Sequence, residues 1–229
     1  MKKNLLKRVI TSICLLLLLI IVNYSHQYIF VLSILTLGFL ICFEANNIFL
    51  RLTTTQAQKK YFFIKNFNIK FFILNCMTFC YIFFIFCNFS YKIHEFENPT
   101  FFLYIISICF FTDIGGYIFG KIIGGTKLTK ISPNKTISGT IGSFLFSIIP
   151  LLIFLNQEYL NLEINYNNII FCLLISLISQ LGDLFISMFK RKAKIKDTGR
   201  ILPGHGGVLD RVDGIIFAVP FSYVLLKFI

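Results

Sequence analysis

Five aspartates carry most of the chemistry this sequence can do. Asp113, Asp183, Asp197, Asp210 and Asp213 are half of the 10 acidic residues in a chain of 229, and they lie in "FFTDIGG", "SQLGDLF" and "KDTGRILPGHGGVLDRVDG", in or beside long apolar runs. An ionisable group in such a run is costly and by default signals function. Asp183, Ser187 and Lys190 are spaced i, i+4, i+7, which presents an acid, a hydroxyl and an ammonium on one helix face. Asp210 and Asp213 are i, i+3, so both can point to one centre while Arg211 faces elsewhere. Carboxylates converging from separate segments beside Lys and Arg suit a hard, oxygen-coordinated cation such as Mg²⁺, shared with a phosphate substrate. Two alternatives stay open for the same residues: structural ion pairs between helix ends, and a proton or ion pathway. The pathway fits less well, because the acids gather toward one face instead of spacing across the apolar layer.

A second stretch, "TDIGGYIFGKIIGGTKLTKISPNKTISGTIG", combines Gly, Lys and Ser/Thr, a mixture that offers backbone N–H groups and positive charge to phosphates. Within it "GGYIFGKI" approaches a P-loop, but Ile122 stands where that motif needs Ser or Thr, and no strand precedes it. Gly116 and Gly120, four apart, are expected to let helices pack closely instead. Ser132, Lys135 and Thr136 precede an apolar helix whose N-terminus favours an anion. Capping explains Ser and Thr there, whereas Lys135 is disfavoured at that end unless an anion is bound. "LPGHGG" cannot continue a helix and brings His205 near Asp210, as a general base, a phosphate ligand or a loop residue bonded to backbone.

The elements that must position these residues are transmembrane helices. The chain is 56% hydrophobic with 29 Phe, and its mean hydropathy is +0.79. Its net charge of +12 would suit nucleic-acid binding in a soluble domain, but the apolar runs exclude that class. Segments 9–23, 28–49, 71–90, 100–120, 137–155, 168–189 and 212–229 come close to the ~20 residues a spanning helix needs, which predicts an all-α polytopic bundle of about seven helices. With Lys2, Lys3, Lys7 and Arg8 in the cytoplasm, segments 51–70, 121–136 and 190–211 are cytoplasmic too and hold nearly all the Lys and Arg. The opposite loops, 91–99 and 156–167, contain Lys92 alone and Glu95, Glu97, Glu158 and Glu163, so the positive-inside rule holds at each. The reading is one membrane domain, with N-terminal helices at 1–99 and a motif-bearing half at 100–229. The first segment could also be a signal peptide, but no A-x-A-like site follows and a retained helix is expected. The seven cysteines lie in apolar segments without a CxxC pair and are expected to pack. Glu44 stands alone toward the end of the second segment.

"SMFKRKAKIKDTGRILPGHGGVLDRVD", preceded in order by "TDIGGYIFGK", "SPNKT" and "SQLGD", resembles the signature of the phosphatidate cytidylyltransferase family over roughly residues 110–215. The resemblance implies a Mg²⁺-dependent enzyme of phospholipid biosynthesis in the cytoplasmic membrane, its site facing the cytoplasm. Such an enzyme makes CDP-diacylglycerol and pyrophosphate from CTP and phosphatidic acid. CTP, phosphatidic acid and membrane lipids are then the expected partners, with a homodimer open and no nucleic acid. Catalytic roles fall to Asp183, Lys190, Asp197, His205, Asp210, Arg211 and Asp213. Phosphate binding falls to Ser132, Lys135, Thr136, Ser187, Arg191 and Lys196. Asp183, Asp210 and Asp213, with Asp113 as a further candidate, are the expected metal ligands, and a second cation is open. The chain departs from the family's usual residues at Ser138, Ile186 and Gly214. A transporter of phosphorylated solutes or a non-catalytic lipid binder are the competing classes. The CDP-alcohol phosphotransferase pattern is absent.

Overall fold

The computed structural model describes residues 2–53, 69–129, 132, 135–157, 160, 162–199, 201–202 and 206–228, with backbone alone for 2–9 and 96–97. Among these residues every extended element is a helix, and the only strand-like pairings are isolated bridges of Lys127 with Thr136 and Leu202 with Gly206. In chain order the helices are α1 (Lys2–Asn23), α2 (Gln27–Thr53) and α3. The last begins at Ile69–Cys80 and runs on through π-helical turns at Tyr81–Cys87 and Ile93–Glu97. Then come α4 (Pro99–Ile122), α5 (Ile137–Phe146), α6 (Ile149–Phe154), α7 (Tyr166–Lys192), α8 (Leu209–Val212) and α9 (Ile215–Leu225).

Five stretches are long and apolar enough to cross a membrane: Gln27–Thr53, Ile69–Glu95, Pro99–Ile122, Ile137–Phe154 and Tyr166–Lys192. Large apolar side chains point outward from them, among them Phe39, Phe43, Phe72, Phe84 and Ile141. Water would not tolerate so much continuous apolar surface, so the chain is a helical membrane protein. The apolar parts of the first and last helices are shorter, at Ile10–Asn23 and Ile215–Leu225.

Local sequence explains the boundaries. Asn98 starts α4 with a positive φ of 107°, and its side chain accepts the Thr100 N–H at 3.1 Å while Pro99 takes the first helical position. The expected continuous helix over 137–155 is broken after Phe146. Pro150 lacks an N–H, and its ring crowds the carbonyl four residues back, which belongs to Phe146. Pro220 has the same effect inside α9, where it deprives the Ile216 carbonyl of its helical donor. The Tyr81 hydroxyl of α3 donates to that carbonyl at 3.1 Å and restores the lost bond.

The core is built around α4, half of whose span is buried, including Tyr104, Ile105, Ile108 and Thr112. Helices α1, α5, α6, α7 and α9 all pack against it. Asp113 follows the buried Thr112 on this helix and is itself exposed. All seven cysteines are free, with Cys87, Cys109 and Cys172 buried.

Candidate active site

Two close helix crossings bring the polar residues together. At the first, α4 lies on α5 through glycines: a Cβ on Gly116 would stand 2.6 Å from Ser143 Oγ, and one on Gly139 would stand 2.8 Å from the Gly116 carbonyl. The "GGYIFGK" stretch is thus a packing surface, as its spacing predicted, and it is helical throughout. At the second, α7 meets the start of α9. A Cβ on Gly182 would lie 3.0 Å from the Asp213 carbonyl, and one on Gly214 would lie 2.8 Å from the Ser179 carbonyl. Each glycine neighbours an aspartate, Asp183 or Asp213, so backbone contact at the crossing draws the two carboxylates together.

There each lies close enough to act on the other's charge. Two carboxylates in contact repel unless a proton or a cation lies between them. Asp113 of α4 is close enough to feel the charges of Asp183, Lys135 and Arg211. Lys135 pairs with Asp183, and Ser187 donates to Asp183 Oδ1 at 3.2 Å, as its i+4 spacing anticipated. Lys190 is 8% exposed and bridges Asp210 Oδ1 at 2.9 Å and Asp213 Oδ2 at 3.6 Å. Helix α7, the stretch bearing Asp210 and Asp213, and the segment before α5 thus share one charged cluster.

Asp210 is held differently from the rest. Its Oδ2 accepts the Thr198 N–H at 2.8 Å and the Gly207 N–H at 3.0 Å, with the Thr198 hydroxyl oxygen 3.1 Å away, while Oδ1 accepts from Lys190. Burial works against its charge, but these donors outweigh burial and keep the carboxyl below its ordinary range. The sign follows: a depressed native pKa stabilises the fold at pH above the unfolded value of about 3.9, and that contribution is lost as pH falls through the lower folded value. In metal-free protein, thermal unfolding scanned downward from pH 6 should therefore fall more steeply below about pH 4 for wild type than for Asp210→Asn. Parallel curves would rule out this role for Asp210.

The other expected residues sort plainly. Thr136 caps α5, accepting the Gly139 N–H at 3.1 Å, and Ser132 accepts the Lys135 N–H through its carbonyl at 3.1 Å. The anion that Lys135 called for at this helix start is, within the protein, Asp183. Arg191, Lys196, Asp197 and Arg211 are exposed around the cluster. His205 lies outside the described residues. The departures have structural reasons: Ile186 packs against the apolar core, Ser138 donates to the Gly124 carbonyl, and Gly214 sits where α7 leaves no room for a side chain.

One residue was missed. Glu44 of α2 is 1% exposed, and its carboxylate receives the Thr198 hydroxyl at 2.7 Å and the N–H groups of Leu209 at 2.9 Å and Val208 at 3.0 Å. Its only signal in sequence was a lone acid in an apolar helix.

The donors fit a hard divalent cation. Among the described residues no three acidic, His or Cys groups form a ready-made cage. Mg²⁺ does not need one, because it is usually bound by one or two carboxylates together with substrate phosphates and water. Asp183 and Asp213 would supply such a pair of oxygen ligands.

The class defined so far is an integral membrane helical bundle with paired carboxylates and ammonium groups. A family model described as Cytidylyltransferase family matches residues 47–229, and the chain belongs to that family. It is 46% identical over 125 residues to the phosphatidate cytidylyltransferase of Staphylococcus haemolyticus, covering 54% of this chain and 48% of that protein. The Staphylococcus epidermidis protein of the same name is 44% identical over 132 residues, covering 57% and 50%. That of Staphylococcus aureus is 46% identical over 131 residues, with the same coverage of 57% and 50%. The chain spans about half the length of the curated relatives it matches.

Proposed function

We propose that this protein transfers the cytidylyl group of CTP to phosphatidic acid, forming CDP-diacylglycerol and pyrophosphate at the cytoplasmic face of the membrane. The observation that carries this is the set of Asp183, Asp210 and Asp213 paired with Lys135 and Lys190, drawn from three separate segments. The orientation rests on the Lys- and Arg-rich segments that adjoin the cluster, with seven spans and a cytoplasmic N-terminus.

A phosphate oxygen of phosphatidic acid bonds to the α-phosphorus of CTP, and the bond from that phosphorus to the bridging oxygen breaks with its electron pair leaving on pyrophosphate. A phosphate monoester has a second pKa of about 6, so the nucleophile is already largely deprotonated at neutral pH and no residue need act as base. Mg²⁺ held by Asp183 and Asp213 would supply Lewis-acid neutralisation of the phosphates. The chain's own work is to bind and orient. Lys135 and Lys190 can turn from their carboxylate partners to substrate phosphates, and Arg191, Lys196 and Arg211 add exposed cations at the rim. A lipid and a water-soluble nucleotide can both reach such a site only at the membrane surface.

The test is pyrophosphate release by purified protein in detergent with phosphatidic acid and Mg²⁺, comparing CTP with ATP and including Asp210→Ala. Release should require CTP, lipid and an intact Asp210. Lipid binding without release would instead point to a non-catalytic binder, and solute flux without release to a transporter.

A further inference from the structure

We infer that Glu44 is a positioning residue for this site: from outside the motif-bearing half, it anchors Thr198, Val208 and Leu209, the residues around Asp210. The inference rests on the functional reading above. Glu44 precedes the family match at 47–229, and no expectation from the motifs reaches it. Its partners are 154 to 165 residues away along the chain, so the contact exists only in the folded bundle.

The chemistry of the contact is specific to a carboxylate. Oε1 accepts the Val208 N–H, while Oε2 accepts both the Leu209 N–H and the Thr198 hydroxyl. A carboxylate has acceptors on both oxygens, whereas Gln has one oxygen and an NH₂ that must face one set of these donors. Among the described residues no Lys or Arg pairs with Glu44, so its buried oxygens depend on those donors. Two glycines leave room for it. A side chain at Gly199 or Gly207 would strike the Glu44 carboxylate.

From Glu44 the contacts run without a gap to the cluster. Thr198 Oγ lies between Glu44 Oε2 and Asp210 Oδ2, Asp210 holds Lys190, and Lys190 reaches Asp213. Releasing the Glu44 end frees the amides of Val208 and Leu209, which open the turn bearing Asp210. The acids and Lys190 then lose their common orientation although none of them has been changed.

The experiment compares wild type, Glu44→Gln, Glu44→Asp, Thr198→Val and the Glu44→Gln/Thr198→Val double variant in detergent. Limited trypsin cleavage after Lys192, Lys194 and Lys196 reads the segment without reference to catalysis, and pyrophosphate release reads turnover. Glu44→Gln should raise cleavage and lower kcat, each by about tenfold, the effect of leaving one buried donor unpaired. Glu44→Asp should recover part of both, and the double variant should be little worse than the poorer single one. Wild-type cleavage in Glu44→Gln would overturn the anchoring, and faster cleavage with unchanged kcat would overturn the positioning role. Additive losses in the double variant would show that Glu44 does not act through Thr198. A wild type that releases no pyrophosphate sinks the functional reading alone, and cleavage still decides whether Glu44 holds the segment.

Discussion

Asp213→Asn will lower kcat by on the order of 10²–10³-fold, the scale seen when a group that stabilises transition-state charge is removed. Asp213 lies at the α7–α9 crossing beside Asp183's helix and is reached by Lys190 at 3.6 Å. The amide has nearly the same shape, and the α7–α9 crossing rests on Gly182 and Gly214, so it should survive. What it loses is the charge that would offset a bound cation and hold Lys190. Single-turnover pyrophosphate release at saturating CTP measures the loss directly. Turnover near wild type would exclude Asp213 from the reaction and leave the cluster as structural ion pairing.

Lys190→Met should be the most destabilising single change in the cluster. Lys190 is the buried counter-charge to both Asp210 and Asp213. Removing one partner of a buried pair leaves the remaining charge uncompensated, at a cost of about 3–5 kcal/mol. The methionine stem occupies much the same space, so lost charge and not a cavity would account for the effect. Thermal unfolding in detergent reads it, and pairing Lys190→Met with Asp210→Asn should cost less than the sum of the two. Strict additivity would mean that the observed pair contributes nothing to stability.

The membrane class and the polar face of α7 were legible because both are periodic or extended features. Apolar runs of spanning length mark themselves, and Asp183, Ser187 and Lys190 lie on one helix where spacing alone decides who can touch. The Ser187 to Asp183 bond at 3.2 Å follows from that spacing. The Pro150 break was also written in the chain, yet hydropathy over 137–155 outweighed it. Partners chosen by tertiary folding left no such trace. Asp210 is held chiefly by backbone N–H groups at Thr198 and Gly207, and an amide has no letter in the sequence. Glu44 looked isolated because its donors are more than 150 residues away. Gly182 and Gly214 are unremarkable letters until two helices are found to touch there.

That crossing also sets how motion is distributed along α9. With backbone resting on backbone, it acts as a fulcrum, and the fulcrum lies one residue from Asp213 and at the far end from Leu225. At 1.5 Å per residue the lever arm beyond it is about 16 Å, so a rocking of ~5° displaces the outer tip by roughly 1.4 Å and the backbone of the aspartate by only about a tenth of an ångström. Undulations and thickness changes of the surrounding lipid can therefore swing one end of the helix while the charged end stays almost still.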